Sequence, residues 1–209
     1  MNVNFYVTCI ADVVKSGVAK NTVLLLEKLG CNVIFLEKQG CCGQPALNSG
    51  YTKQAIPGMK NLVETFEVND YPIVAPAGSC VYAIKNYPDY FTKAGELGWA
   101  ERAKKVVARF CDLTDFIVNK LGVTDVGAYL PGKAVYHPSC SLTRKLGIVD
   151  EPIALLKGVK GLDLSTTPAC LAKVSAKAPI PIEGSKHRLI CRFVEASASE
   201  MAETIRVSV

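Results

Sequence analysis

Asn32-Val33-Ile34-Phe35-Leu36 runs through Glu37-Lys38-Gln39-Gly40 into Cys41-Cys42-Gly43. A short apolar run of β-branched and aromatic residues, with Gly30 before it and a glycine-containing loop after it, reads as a buried-type strand. Upstream, Val13 to Leu29 places Val14, Val18, Leu25 and Leu29 on one helical stripe, and Gly30 stands where a helix C-cap belongs. Before that helix, Val3 to Val7 is another short β-rich run, and it ends in Thr8-Cys9. Downstream, a helix is expected from Ser49 to about Phe66, bent or interrupted at Pro57. Tyr71 to Ala75 is the next strand, emptying into Pro76-Ala77-Gly78-Ser79-Cys80. Strands alternating with helices predict an α/β fold. Cys9, Cys41, Cys42 and Cys80 all follow the C-terminal ends of strands, the edge at which open parallel sheets bind ligands.

With 209 residues, 49% of them hydrophobic, the chain can bury a real core without disulfide staples. Its net charge of +5 is modest, its Lys and Arg residues are spread out, and no aromatics interleave with them, so nucleic acid is not an expected partner. The N-terminal MNVNFYVTCI has no basic leader and reads as a strand rather than a signal peptide. Apolar runs such as Val23 to Leu26 are far too short to span a bilayer. A cytoplasmic location follows as the expectation. In that compartment nine cysteines point to metal, cluster or thiol chemistry rather than to a disulfide framework.

The middle section, Gly95 to Leu121, is expected to be helical and basic, with Trp99, Val106, Phe110, Phe116 and Leu121 in the core. Gly122 to Gly132 is turn-rich and marks a domain boundary. Beyond it the pattern starts again. Lys133 to Tyr136 is a strand ending in His137-Pro138-Ser139-Cys140, and Asp150 opens a helix through Ile153, Leu155 and Leu156 with Pro152 in its first turn. Gly161 to Leu164 is a further strand, followed by Cys170. Cys41 lies 32 positions after Cys9, and Cys170 lies 30 after Cys140, an internal repeat offset by about 130 residues. The expected organisation is therefore two Rossmann-like lobes: residues 1–125, then a partial second lobe at 126–170, then a divergent tail at 171–209.

Adjacent cysteines cannot both point one way from a regular strand, but from a tight loop both can reach an extended inorganic core. Soft thiolates suit iron–sulfur clusters, and glycines such as Gly43 and Gly78 let the backbone pass close to a bulky guest. Zinc is disfavoured by the absence of compact C-x-x-C knuckles, and a thiol redox pair stays open.

These segments resemble the cysteine-rich CCG domain of heterodisulfide reductases, of the iron–sulfur subunits of glycolate oxidase and anaerobic glycerol-3-phosphate dehydrogenase, and of the lactate-utilisation protein A family. The last group is resembled most closely, through Phe5-Tyr6-Val7-Thr8-Cys9, Cys41-Cys42-Gly43-Gln44-Pro45, Pro76-Ala77-Gly78-Ser79-Cys80, Leu121 to Gly127 and Tyr136-His137-Pro138-Ser139-Cys140. The resemblance spans roughly residues 1–165. It implies an iron–sulfur electron-transfer component of an L-lactate-oxidising complex, working with companion proteins. It further implies Cys9, Cys41, Cys42 and Cys80 as ligands of one cluster, an ordinary or partial 4Fe–4S type, with Cys140 opening a second set.

Two departures stand out. The third loop has Ala77 and Ala83 at the C-x-x-C spacing around Cys80, and the second repeat reads Cys170-Leu171-Ala172 in place of Cys-Cys-Gly. Cys170 or Cys191 is the candidate remnant. Two other functions follow from these gaps: a docking subunit without redox competence, and a redox protein using the vicinal thiols. Cys31 and Cys111 read as packing residues, His137 as a strand-end structural histidine, and Asp112 and Asp115 as helix-start acids. His187 lies in the irregular tail. Arg102, Lys104, Lys105 and Arg109 read as a solvated helix face. No Gly-rich nucleotide loop and no serine nucleophile motif is present, so no catalytic residue of the chain's own is expected.

Overall fold

The computed structural model describes residues 1–166. Its larger sheet has four parallel strands in the order β2-β1-β3-β4, formed by β1 (Asn2–Phe5), β2 (Asn32–Phe35), β3 (Ile73–Ala75) and β4 (Phe110–Asp112). The chain reverses its direction of travel across the sheet between β1 and β3, and doubly wound sheets bind ligands at such a switch point. Alternation along each strand fills two cores. Val3 and Val74 pack on one face with Leu25 and Leu26 of α2 (Ser16–Lys28). Ile73, Ala75 and Phe110 pack on the other with α4 (Thr52–Phe66), α6 (Tyr87–Lys93) and α7 (Leu97–Val107).

Several boundaries differ from expectation. The helix expected over 13–29 begins only at Ser16, as α2, and a separate helix α1 (Cys9–Val13) precedes it, capped by Thr8, which accepts the Ala11 N–H at 3.3 Å. A short α3 (Gln44–Asn48) precedes α4, and α4 runs unbroken through Pro57. The stretch 95–121 is not one helix. Phe110, Cys111 and Asp112 pair with Ile73, Val74 and Ala75 as the fourth strand, and the chain becomes helical again at α8 (Leu113–Asp115), continuing as a π turn over Phe116–Lys120. In a three-residue strand the helical and extended periods cannot be told apart, so only the neighbouring β3 decides the matter. Of the predicted core residues, Val106, Phe110 and Phe116 are fully buried, while Trp99 and Leu121 are half-buried at the margins.

The basic stretch is also less solvated than its composition implies. Arg109 donates to the carbonyls of Phe66 (2.6 Å), Asn69 (2.6 Å) and Tyr71 (3.0 Å), closing the end of α4 onto the entry to β3. Arg102 pairs with Glu67 at 2.6 Å and lies 3.9 Å over the Trp99 ring.

After residue 125 the first motif recurs. Strand β5 (Tyr129–Tyr136), a π turn (Ser141–Lys145), α9 (Asp150–Lys157) and β6 (Lys160–Thr166) follow one another, and β5 pairs parallel with β6. The segment shares a core with the first sheet: Val126, Ala128, Leu155 and Val159 pack with Val3, Leu25, Val74 and Phe116. Leu142 of the second π turn also sits against α5 (Gly78–Lys85), so closely that a Cβ on Gly78 would come within 2.7 Å of its Cδ1. Cys170, His187, Cys191 and the 171–209 tail lie outside the described residues. No helix among the described residues is long and apolar enough to cross a membrane.

Candidate metal centre

The turns that follow β1, β2 and β3 end at one edge of the sheet, and their cysteines meet there. Cys9 opens α1, and its sulfur lies 3.5 Å from that of Cys41. Cys41 is also in hydrogen-bond contact with Cys42, and Cys42 with Cys80 in the first turn of α5. The four sulfurs thus form a chain of pairwise contacts, Cys9–Cys41–Cys42–Cys80, running from the accessible Cys9 and Cys41 inward. Cys42 and Cys80 are 1% and 4% exposed.

Local structure accounts for this convergence. Gly43 has φ +79°, a left-handed conformation that a Cβ would strain, and it turns the loop into α3. The turn aims the Gly43 N–H at Cys41 and the Gln44 N–H at Cys42. Such paired amides favour the anionic thiolate. Below the loop, the buried Tyr6 hydroxyl donates to the Gly40 carbonyl and the buried Tyr87 hydroxyl to the Cys42 carbonyl, both at 2.9 Å. Tyr6 stands in a triangle of edge-on rings with Phe66 and Phe110, which fixes its own position. Gln39 ties the first two loops together, accepting from the Val7 N–H (2.9 Å) and donating to the Phe5 carbonyl (2.7 Å). Tyr6, Gln39 and Tyr87 act here through backbone carbonyls and an amide, and nothing in their sequence spacing marks them as supports.

Electrostatics in the metal-free site favour neutral groups. The hydrogen bond with Cys42, then burial, pushes the Cys41 thiol well above its ordinary value, although Gly43 and Cys9 pull the other way. For Cys42 the Cys41 contact lowers the value, but the Cys80 contact and burial outweigh it and bring it to about 12. Burial, followed by the charges of the neighbouring thiols, holds both Tyr6 and Tyr87 as neutral phenols. A cationic guest reverses this balance by taking the thiols as thiolates and releasing their protons.

Among the described residues no three His, Cys, Asp or Glu side chains surround a single point as one metal ion requires. A lone zinc ion needs every sulfur at about 2.3 Å. A cluster takes its cysteines at different irons, so it does not require the thiols to surround one point, and soft sulfurs backed by N–H donors suit it. Cys140 is exposed at the start of the second π turn and is not part of the string. Cys31 is buried in the core between α2 and β2. Cys111 is half-buried within β4, not at a helix start, and its thiol donates to the Arg109 carbonyl. His137 lies exposed just beyond β5.

Behind Cys80 a second polar feature joins the two repeats. Asp112, expected as an ordinary helix-start acid, does cap α8 by accepting from the Thr114 N–H (2.9 Å) and hydroxyl (2.6 Å), but it is only 3% exposed. Burial, opposed by those Thr114 hydrogen bonds, raises its carboxyl to about 6. A Cβ built on Gly78 would lie 3.6 Å from its Oδ2, and Tyr136 at the end of β5 is pushed to about 12 by burial and then by the Asp112 charge.

Residues 3–85 match the family model of the cysteine-rich CCG domain, a span that contains all four sulfurs of the string. The chain is 69% identical over 166 residues to the uncharacterized protein YkgE of Escherichia coli, covering 79% of this chain and 69% of that protein. It is 52% identical over 168 residues to lactate utilization protein A of Anoxybacillus flavithermus and 49% identical over 168 residues to that of Bacillus subtilis, in each case covering 80% of this chain and 69% of the relative. Taken with the parallel sheet and the sulfur string at its edge, these matches mean that the chain belongs to the lactate utilization protein A family.

Proposed function

We propose that the chain is an iron–sulfur electron-transfer component of a system that oxidises L-lactate or a related 2-hydroxy acid. The observation that carries the reading is the meeting of four thiols from three separate turns, with Cys9 and Cys41 sulfurs 3.5 Å apart. In this reading Cys9, Cys41, Cys42 and Cys80 hold one cluster, of the 4Fe–4S type, and Cys140 belongs to a second set in the other repeat. A cluster held there would supply one-electron transfer, at a potential set by hydrogen bonding and burial.

The chain's own residues do the tuning. The Gly43 and Gln44 amides donate to the Cys41 and Cys42 sulfurs, drawing negative charge off the thiolates. Tyr6 and Tyr87 hold the loop carbonyls so that these amides stay aimed at sulfur. The two phenols remain protonated and add no charge of their own. The accessible side of the string, at Cys9 and Cys41, is where an electron partner would approach. Companion proteins supply the substrate-oxidising chemistry, the complex is cytoplasmic, and nucleic acid plays no part.

Anaerobic purification followed by iron and acid-labile sulfide determination tests the proposal. Iron and sulfide in roughly equal amounts, with a reducible visible chromophore, is the expected result. Protein that stays metal-free under conditions that load a ferredoxin control would sink it. The vicinal-thiol alternative fares worse on geometry, since adjacent Cα atoms lie about 3.8 Å apart across a trans peptide and unstrained disulfides want about 4.4–6.8 Å.

A further inference from the structure

We infer that Cys9 and Cys41 form a dithiol site for small-molecule disulfides, closing to an intramolecular Cys9–Cys41 bond when such a disulfide meets the site without metal. The bond itself concerns the metal-free protein, and only its effect on loading rests on the reading above.

The geometry singles out this pair. Their sulfurs stand 3.5 Å apart, and the approach to a bond of about 2.05 Å is a movement of roughly 1.5 Å shared between two side chains. The two loops are held together independently of the cysteines, because Gln39 bridges Val7 and Phe5, and β1 pairs with β2 up to Phe5 and Phe35. Access favours the same pair: Cys41 is exposed and Cys9 half-exposed, whereas Cys42 and Cys80 are sealed at 1% and 4% exposure. Cys41–Cys42 closure is disfavoured, because the short Cα separation of neighbouring residues makes the ring strained and easily reduced.

The chemistry balances with a disulfide R–S–S–R as the oxidant. Cys41, once its thiol gives up its proton, attacks one sulfur of R–S–S–R, a Cys41–S–S–R bond forms, and one RS⁻ leaves. The Cys9 thiolate then attacks the Cys41 sulfur, the Cys9–Cys41 bond forms, and the second RS⁻ leaves. The two thiol protons end on the two RS⁻ groups. The protein dithiol has lost two electrons and the external disulfide has gained them. The product ties the ends of two adjacent strands across 31 intervening residues, and two of the four sulfurs are no longer free to bind iron.

The test treats the full chain, stripped with a chelator and reduced, with glutathione disulfide. Remaining thiols are then alkylated and the protein is digested with trypsin without reduction. Cleavage after Lys15, Lys38, Lys53, Lys60 and Lys85 puts Cys9 on peptide 1–15, Cys41 and Cys42 on 39–53, and Cys80 on 61–85. The expected product is 1–15 joined to 39–53, retained in Cys42→Ala and lost in Cys41→Ala. In Cys9→Ser, Cys41 should instead keep a glutathione adduct. Full alkylation of Cys9 and Cys41 after the oxidant, or 39–53 joined mainly to 61–85, would overturn the inference. In a second arm the oxidised protein should take up no iron until dithiothreitol is added, and equal uptake by oxidised and reduced protein would overturn the gating role. Reduced protein that also fails to load iron counts against the proposed function and leaves the disulfide result standing.

Discussion

Residues 2–35 and 129–166 are built to one plan with different outcomes. Each runs strand, cysteine-bearing turn, helix, parallel strand. In the first, β1 is paired on both sides, and Val3, Asn4 and Phe5 are buried. In the second, β5 pairs only with β6 among the described residues, and most of its side chains are exposed or half-exposed. Cys9 meets the sulfur of Cys41, which continues the string to Cys42 and Cys80, and Cys140 stands exposed. A cysteine after a strand is therefore not a site in itself. The neighbouring strands must end beside it and deliver their own turns to the same edge.

The largest effect expected from this contrast is in metal content. Cys41→Ser or Cys42→Ser should reduce bound iron and sulfide to background, whereas Cys140→Ser should leave the first-repeat cluster at its wild-type amount, both read by iron and sulfide analysis of anaerobically purified protein. Equal loss in all three variants would erase the distinction between the repeats.

Stability should divide along the same line. Phe110→Ala removes a ring 1% exposed that packs edge-on with Tyr6 and Phe66, and it should cost about 3–5 kcal/mol in urea unfolding. Val135→Ala, at a residue 36% exposed on β5, should cost under about 1 kcal/mol.

The buried joint between the repeats yields a pH signature. The folded-state pKa of Asp112 is raised from 3.8 to about 6, so the neutral acid is the form that the fold prefers. Its contribution is fully present below about pH 3.8 and is lost as pH rises through 6, on the order of 3 kcal/mol for a shift of about two units. Asp112→Asn keeps a capping side chain. Stability curves of the two proteins should therefore converge near pH 4 and separate above pH 6, with the variant more stable. Parallel curves across that range would mean that the carboxyl is not desolvated.

The smallest effect tests the props of the cysteine loop. Tyr87→Phe deprives the buried Cys42 carbonyl of its donor, at a cost of about 1–3 kcal/mol. It should also shift the reduction potential of loaded protein, because the amides at Cys41 and Cys42 are no longer held in place. Redox titration beside wild type reads that shift, and an unchanged potential would confine Tyr87 to stability.

Much of the plan was legible because its signals are local. Three apolar β-rich runs, each followed by a cysteine turn, announced a parallel α/β sheet, and the recurrence at Cys140 announced the second pass. Phe110-Cys111-Asp112 escaped, because three residues carry too little period to separate strand from helix until β3 lies alongside. Asp112 looked like a surface cap, since a capping pattern is the same whether the carboxyl faces water or a packed wall. Tyr6, Gln39 and Tyr87 were silent for a related reason: a phenol that holds a distant carbonyl leaves no mark in spacing.

The amino-acid order alone determined which residues could serve as soft ligands, and that each would sit at the end of a strand. Backbone propensity and side-chain chemistry act within a few residues, and both are written in the chain. Only the folded molecule decided which sulfurs meet, which two remain within reach of solvent, and which acid is sealed between the repeats. Those outcomes depend on contacts between residues tens of positions apart, where strand order and core packing set the distances.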